Sequence, residues 1–200
     1  MTIVTTTGNK QVTEIIEKRV AVQGARLLVV GKTLHPVGML GEFQKENGGV
    51  AEAVCLQLGV SDDAIATGLR EARWPGRVEW FEKNILVDCA HNPMGIKALS
   101  EYVSGLEYDK LVVLFAVTLN KDYKRMLNLL PECDELVCTE STIERKVPVE
   151  DIDVDCVKIK DFKEAYEYCK NKVGEKDLLL VCGSIFLVGD LKVIKLLANI

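Results

Sequence analysis

From residue 84 onward, short apolar runs alternate with segments whose apolar positions recur at helical spacing. The runs are Ile85-Leu86-Val87, Leu111 to Val117, Leu136-Val137-Cys138, Cys156-Val157-Lys158-Ile159 and Leu178 to Cys182. Each is too short for a helix and predicts a buried strand. Between them the spacing predicts helices over Pro93 to Ser104, Asp122 to Leu130, Asp161 to Lys172 and Phe186 to Leu197. Pro93 suits a helix start because its ring lacks the N–H that the first turn leaves unpaired. Asp161 can cap its helix with a side-chain oxygen. Strand and helix in alternation build an α/β fold with a mainly parallel, Rossmann-like sheet and flanking helices. Ligands in such sheets gather at the carboxyl ends of the strands. Upstream, Arg77 to Phe81 and Ile85 to Asp88 flank Glu82-Lys83-Asn84, which predicts a hairpin at the sheet edge.

The first third reads differently. Residues 9–23 carry a helix pattern, Arg26 to Val30 a strand, and Thr33 to Met39 an irregular stretch broken by Pro36 and Gly38. Helices follow over Glu42 to Leu58 and Asp62 to Ala72, the second with Ser61 in the capping position. Trp74-Pro75-Gly76 marks a boundary. The chain therefore divides into a helical N-terminal appendage, residues 1–74, and an α/β domain, residues 75–200.

Composition narrows the function. The 200 residues carry a formal charge of −5, with no basic run of the kind that clamps nucleic-acid phosphates. No apolar run reaches the roughly 18 residues that cross a bilayer, and the start lacks a signal-peptide pattern. A cytoplasmic protein is expected. The seven cysteines, at 55, 89, 133, 138, 156, 169 and 182, include no Cys-x-x-Cys and no nearby histidine that completes a metal set. They read as reduced, mostly buried thiols, and no metal site is expected.

Nor does the chain carry its own phosphate loop. Gly31-Lys32-Thr33 follows a strand, but Arg26 stands where the motif needs its first glycine and Pro36 opposes the helix. Gly8-Asn9-Lys10 fails the spacing, and no Gly-x-Gly-x-x-Gly occurs.

The segment richest in chemistry runs from Arg77 through Ile85-Leu-Val-Asp-Cys-Ala-His-Asn-Pro93. Asp88 stands at the carboxyl end of a strand, His91 and Asn92 lie in the turn, and Pro93 opens a helix. Such an Asp can accept from ribose hydroxyls or orient a cation. His91 can bind a carboxylate or phosphate when protonated or donate as neutral imidazole, and Arg77 offers a planar fork to phosphate. A purely local reading has Asp88 and Asn92 capping the helix.

Arg-x10-Asp-x-Ala-His-Asn-Pro resembles the signature of the C-terminal domain of the Mur ligase superfamily, and within it the folylpolyglutamate synthase/dihydrofolate synthase family. Leu40-Gly-Glu-Phe-Gln-Lys-Glu-Asn47, Asn120-Lys121-Asp122 and Gly183-Ser-Ile-Phe-Leu-Val-Gly189 resemble further family segments in the same order. Residues 1–34, Thr7-Gly8 included, resemble the last helix and strand of the family's first domain. The resemblance implies ATP, with magnesium, phosphorylating a pterin-linked carboxylate, after which the amine of glutamate attacks the acyl phosphate. It implies that Asn47, Arg77 and Asp88 contact nucleotide, that His91 and Ser184 hold glutamate, and that Asn92, Lys121 and Asp122 line the crevice. It further implies catalytic roles for Asp88 and His91. Local readings stand beside these. Asn47 can serve a helix terminus, Ser184 a helix cap, and Lys121 can be a solvated loop charge.

The sequence departs from the family at Phe43, where relatives carry His, and at Gly48-Gly49, which cost about 1 kcal/mol each inside a helix. The family's phosphate loop and magnesium ligands cannot be placed in these residues. The resulting expectation is the C-terminal portion of an ATP-dependent ligase adding glutamate to a folate-type substrate, inactive by itself. Two rivals are a stand-alone nucleotide- or glutamate-binding module, or partner of a separate P-loop chain, and a sibling Mur-type amino-acid ligase.

Overall fold

The structure, a computed structural model, describes residues 1–6 and 9–198. Thr7-Gly8 of the first-domain resemblance lies outside the described residues. The chain forms two compact units, Met1–Trp74 and Pro75–Ile200.

The first unit holds β1 (Thr2–Thr5), α1 (Lys10–Val22), β2 (Arg26–Val29), α2 (Phe43–Gln57) and α3 (Asp62–Glu71). β1 and β2 pair in parallel, Thr2 opposite Arg26 through Thr5 opposite Val29. The expected helical appendage thus also contains a small parallel sheet. β1 carries no signal of its own: four residues of Thr-Ile-Val-Thr become a strand only by pairing with a segment beyond a whole helix. Asn9 caps α1, accepting from Gln11 N and Val12 N at 3.0 and 3.3 Å. Ser61 occupies the cap position of α3 with extended backbone, but its side chain makes no capping bond. Asp62 and Asp63 in the first turn compensate the helix dipole instead.

The Gly48-Gly49 pair has a packing cause. A Cβ on Gly49 would stand 1.9 Å from Gly31 O, and one on Gly48 2.7 Å from Thr33 Cγ2. α2 lies directly against the 31–37 loop. Thr33 N donates to Lys45 O at 2.9 Å, and Thr33 Oγ1 donates to the Glu52 carboxylate.

The second unit contains β3 (Glu79–Glu82), β4 (Ile85–Val87), α4 (Pro93–Val103), β5 (Leu111–Phe115), α5 (Tyr123–Leu127), β6 (Glu135–Glu140), β7 (Val157–Asp161), α6 (Phe162–Lys170), β8 (Leu178–Cys182) and α7 (Ile185–Ala198). The strands form one sheet in the order β3-β4-β8-β5-β6-β7. β3 is antiparallel at the edge, and every other pairing is parallel. All residues of β4, β5 and β8 are buried, as strands covered on both faces require. Ile85, Val112, Leu114 and Val181 share one core with Ala165 and Cys169 of α6 and Leu187 and Leu191 of α7. The intervening Leu86, Val113, Phe115 and Leu180 are fully buried on the opposite face. Each such side chain contributes about 1.5–3 kcal/mol of burial.

Local signals set the helix starts. Asn92 accepts from Gly95 N at 2.8 Å ahead of Pro93, and Asp161 accepts from Lys163 N and Glu164 N at 2.9 and 3.0 Å. α5 is shorter than the spacing predicts. Its last turn tightens, with Leu129 N bonding Met126 O and Leu130 N bonding Leu127 O, before Pro131 ends it. Among the described residues, no helix is long and apolar enough to cross a membrane.

Gly49→Ala is expected to lower stability by about 1–3 kcal/mol, because its Cβ meets fixed backbone. Gly68→Ala in α3, where a Cβ meets nothing within 4 Å, should raise it by up to about 1 kcal/mol. Urea unfolding of the two variants checks this, and effects of the same sign would contradict the packing account.

Candidate functional site

The parallel strands present their carboxyl ends along one rim, in the order β4, β8, β5, β6, β7. At the β4 end stands Asp88, 3% exposed. Its Oδ2 accepts from Val78 N at 2.8 Å and its Oδ1 from Ala90 N at 2.7 Å. The local reading of Asp88 as a helix cap is corrected here, since its carboxylate brackets two loops instead. Val78 has a φ of 47°, a left-handed conformation that a β-branched residue resists. Among the described residues, its buried N–H finds its acceptor in that carboxylate. Gly76, with φ 72°, accepts from Cys89 N at 2.8 Å and donates its own N–H to Glu79 Oε2 at 2.6 Å. A Cβ there would lie 2.5 Å from Cys89 Sγ. The 76–78 turn is thereby locked to the 88–90 loop with exposed Arg77 at its apex. Arg77 has no ion pair among the described residues.

Burial pushes the Asp88 carboxyl above the usual carboxylate range, against the pull of the Val78 and Ala90 N–H groups, Arg77 and His91. Burial likewise pushes the Cys89 thiol up to about 11 and the Cys169 thiol up to about 12. Such thiols are inert at neutral pH, as the reading of them as small hydrophobes expects.

His91 is half-buried, with Nδ1 2.9 Å from Cys89 O. A carbonyl can only accept, so Nδ1 carries the proton and Nε2 is left for a ligand. Gly183 N donates to Ala90 O at 2.9 Å and ties the β8 loop beside the β4 loop. Gly183 has φ 93°, and a Cβ on it would lie 2.3 Å from Ala116 O. Ser184, 1% exposed, caps α7 by accepting from Phe186 N and Leu187 N at 3.2 and 3.5 Å. On the other side of β8, Ala116 N donates to Cys182 O at 3.3 Å. The chain then passes left-handed Asn120, with φ 64°, to half-buried Lys121 and to Asp122. Asp122 caps α5 through Arg125 N at 3.2 Å, and Asn92 caps α4.

The rim therefore brings together Arg77, Asp88, His91, Asn92, Ser184, Lys121 and Asp122. Asn47 belongs to the first unit, where it is exposed on α2 and donates to Gln44 Oε1 at 2.9 Å. Among the described residues, no group of three or more His, Cys, Asp or Glu could hold a metal ion.

Sequence reasoning missed the β6 end of the rim. Buried Glu140 pairs with Lys146 at 3.6 Å and accepts from Val149 N at 3.3 Å. Thr142 donates to Asp190 of α7 through its N and its Oγ1, at 2.9 and 2.8 Å. The polar run Ser141 to Lys146 between two strands was a usable signal, but no spacing links it to a residue 48 positions away.

Residues 76–185, more than half of the chain, match the Mur ligase, glutamate ligase domain family. Over 201 aligned residues the chain is 33% identical to "Probable bifunctional folylpolyglutamate synthase/dihydropteroate synthase" of Halobacterium salinarum, covering 92% of this chain and 24% of that protein. Mycobacterium tuberculosis folylpolyglutamate synthase complexed with ADP has the same fold, with a TM-score of 0.83 at 20% identity, covering 96% of this chain and 54% of that one. A bifunctional folylpolyglutamate synthase/dihydrofolate synthase with Mn, AMPPNP and L-glutamate bound superposes with a TM-score of 0.80 at 22% identity, covering 98% and 53%. The chain thus spans about a quarter to a half of the length of these proteins.

Asp88→Asn replaces one accepting oxygen by a donor and is expected to cost about 1–3 kcal/mol through an unsatisfied buried N–H. The raised pKa means the folded chain binds this proton more readily than the unfolded chain. Its contribution to stability is present in acid and lost as pH rises through the raised pKa. The stability gap between parent and variant should therefore narrow from acid toward neutral pH. A gap independent of pH in urea titrations would contradict this.

Proposed function

The chain belongs to the Mur ligase, glutamate ligase domain family, and from that premise we propose that it serves an ATP-dependent ligase joining glutamate to a folate-type pterin carboxylate. In this reaction a carboxylate oxygen of the pterin substrate attacks the γ-phosphorus of ATP and ADP leaves. The amine of glutamate then attacks the acyl carbon, phosphate departs with the bonding electrons, and the amine loses a proton. The observation that carries the reading is the rim itself, where a locked arginine turn and the Ser184 helix start flank the free nitrogen of His91.

In this proposal Arg77 contacts nucleotide phosphate, and Asp88 acts as a positioning residue. Each Asp88 oxygen already accepts a backbone N–H, so its effect on ligand passes through the 76–78 turn. His91 Nε2 accepts a hydrogen from the incoming amine. Ser184, through the start of α7, and Lys121 hold glutamate carboxylates, since a helix N-terminus and a cation both favour anions. Asn92 and Asp122 shape the crevice walls through the helices they cap. Magnesium belongs to the reaction by family resemblance, and no ligand set for it is assigned in this chain.

The phosphate-gripping half comes from elsewhere, a P-loop domain or a separate P-loop chain. The β1–β2 pair supports such a partner. Parallel sheets are ordinarily covered on both faces, and two strands alone are marginal, yet no residue of β1 or β2 is buried. The free cysteines fit a protein that works in the cytoplasm.

Calorimetric titration of the chain with ADP tests the nucleotide assignment. Arg77→Ala should weaken binding at least tenfold, equivalent to about 1.4 kcal/mol; unchanged affinity would sink it. These 200 residues supplied with ATP, glutamate and a folate should release no phosphate above background, and steady turnover would refute the need for a P-loop partner.

A further inference from the structure

Carboxylates hold the main chain on both sides of Arg77. Val78 N donates to Asp88 Oδ2 at 2.8 Å, and Gly76 N donates to Glu79 Oε2 at 2.6 Å. Gly76 is buried and left-handed, with φ 72°, and a buried N–H needs a protein acceptor. Glu79 opens β3 opposite Val87 of β4. The acceptor for Gly76 therefore stands on the sheet, outside the 76–78 turn that it fixes.

Glu79 is in turn fixed from α7. Lys192 Nζ donates to Glu79 Oε1 at 2.8 Å and lies 2.7 Å from Oε2. The same ammonium sits 5.4 Å from the centroid of the Phe81 ring. The side chains of Lys192 and Glu79 are 29% and 33% exposed. A part-buried pair resting on an aromatic face is screened less by solvent than a pair on the open surface. Val188, one turn before Lys192, also touches the turn: a Cβ on Gly76 would meet Val188 Cγ1 at 3.2 Å. Ser184, Val188 and Lys192 follow at intervals of four and share one side of the helix. The helix that begins at the rim with Ser184 thus also braces the arginine turn.

We propose that Glu79 is a positioning residue for Arg77, with Lys192 as the brace that fixes its carboxylate. This rests on the assignment of nucleotide phosphate to Arg77 given above. The pair acts through the main chain. Glu79 is engaged by Gly76 N and Lys192, and Arg77 has no ion pair among the described residues. A carboxylate paired with the guanidinium itself would compete with phosphate. One that binds the neighbouring N–H orders the turn and leaves the cation to the ligand. Lys192 also offsets the charge of Glu79, so the carboxylate adds little repulsion toward an incoming anion. A turn fixed before the ligand arrives has less freedom to lose on binding.

The test is a double-mutant cycle on ADP affinity, measured by calorimetric titration of the full chain. Glu79→Ala should weaken ADP binding about fivefold or more in the parent, and by less than about twofold in an Arg77→Ala background, because the carboxylate acts only through that arginine. Lys192→Met should show a smaller loss with the same dependence on Arg77. Lys192→Arg keeps the cation and should stay within about twofold of the parent. Amide-resolved NMR spectra of the variants should change near residues 76–79 and α7 and match the parent elsewhere. Equal losses with and without Arg77, or no loss in either single variant, overturn the positioning role and leave the nucleotide assignment standing. A parent that does not bind ADP, or whose affinity Arg77→Ala leaves unchanged, overturns both. Should Glu79→Ala fail to fold, the Lys192→Met cycle decides by the same criteria.

Discussion

A buried carboxylate with two backbone donors organises the β4 end of the rim. Asp88 is removed from water at the end of a fully buried strand, where an uncompensated charge is costly. It is tolerated because Val78 N and Ala90 N converge on it from two different loops. That convergence holds a valine in a left-handed conformation, places Arg77 at the apex of a turn, and leaves the chain at Ala90 and His91 facing the β8 loop. The bracket holds the turn in that shape together with the Cys89 N to Gly76 O and Gly76 N to Glu79 bonds. The remaining rim residues are assembled from this corner by short main-chain bonds, Gly183 N to Ala90 O and Ala116 N to Cys182 O.

Glycine sets how closely these parts can approach. At Gly183 the backbone runs so near Ala116 O and the Phe115 ring that a methyl group has no room, and this proximity puts Ser184 beside the β4 loop. Gly49 does the same work in the first unit, where α2 rests on Gly31. Read along the helix, the Gly48-Gly49 pair looks like a defect with an entropic cost. Read across the contact, it is the condition for helix and loop to meet.

Much of the fold was legible because its causes are local. Continuous apolar runs mark buried parallel strands, and β8 begins and ends where its run does. Asn92 with Pro93, and Asp161, name their own helix starts through bonds to residues two or three positions ahead. Ser61 looked equally suitable and makes no such bond, since a capping residue also needs its side chain turned back onto the helix. α5 ended early because Pro131 and a tightening last turn cut short an apolar pattern that runs on. β1 was missed because its four residues acquire strand character only from β2, across an intervening helix.

The sequence by itself determined the class of fold, the strand and helix alternation and the position of the Asp-Cys-Ala-His-Asn-Pro turn at a strand end. These follow from periodicity and from bonds made within a few residues. Only the tertiary structure decided that Asp88 is a bracket between loops, that His91 keeps Nε2 free, and that Thr142 and Asp190 anchor the segment after β6 to α7. The Asp88–Val78 bond and the Thr142–Asp190 anchor join groups 10 and 48 positions apart, which only the folded chain brings together. No spacing along the chain encodes that β8 inserts between β4 and β5, so the neighbours it creates become visible only once the strands are paired.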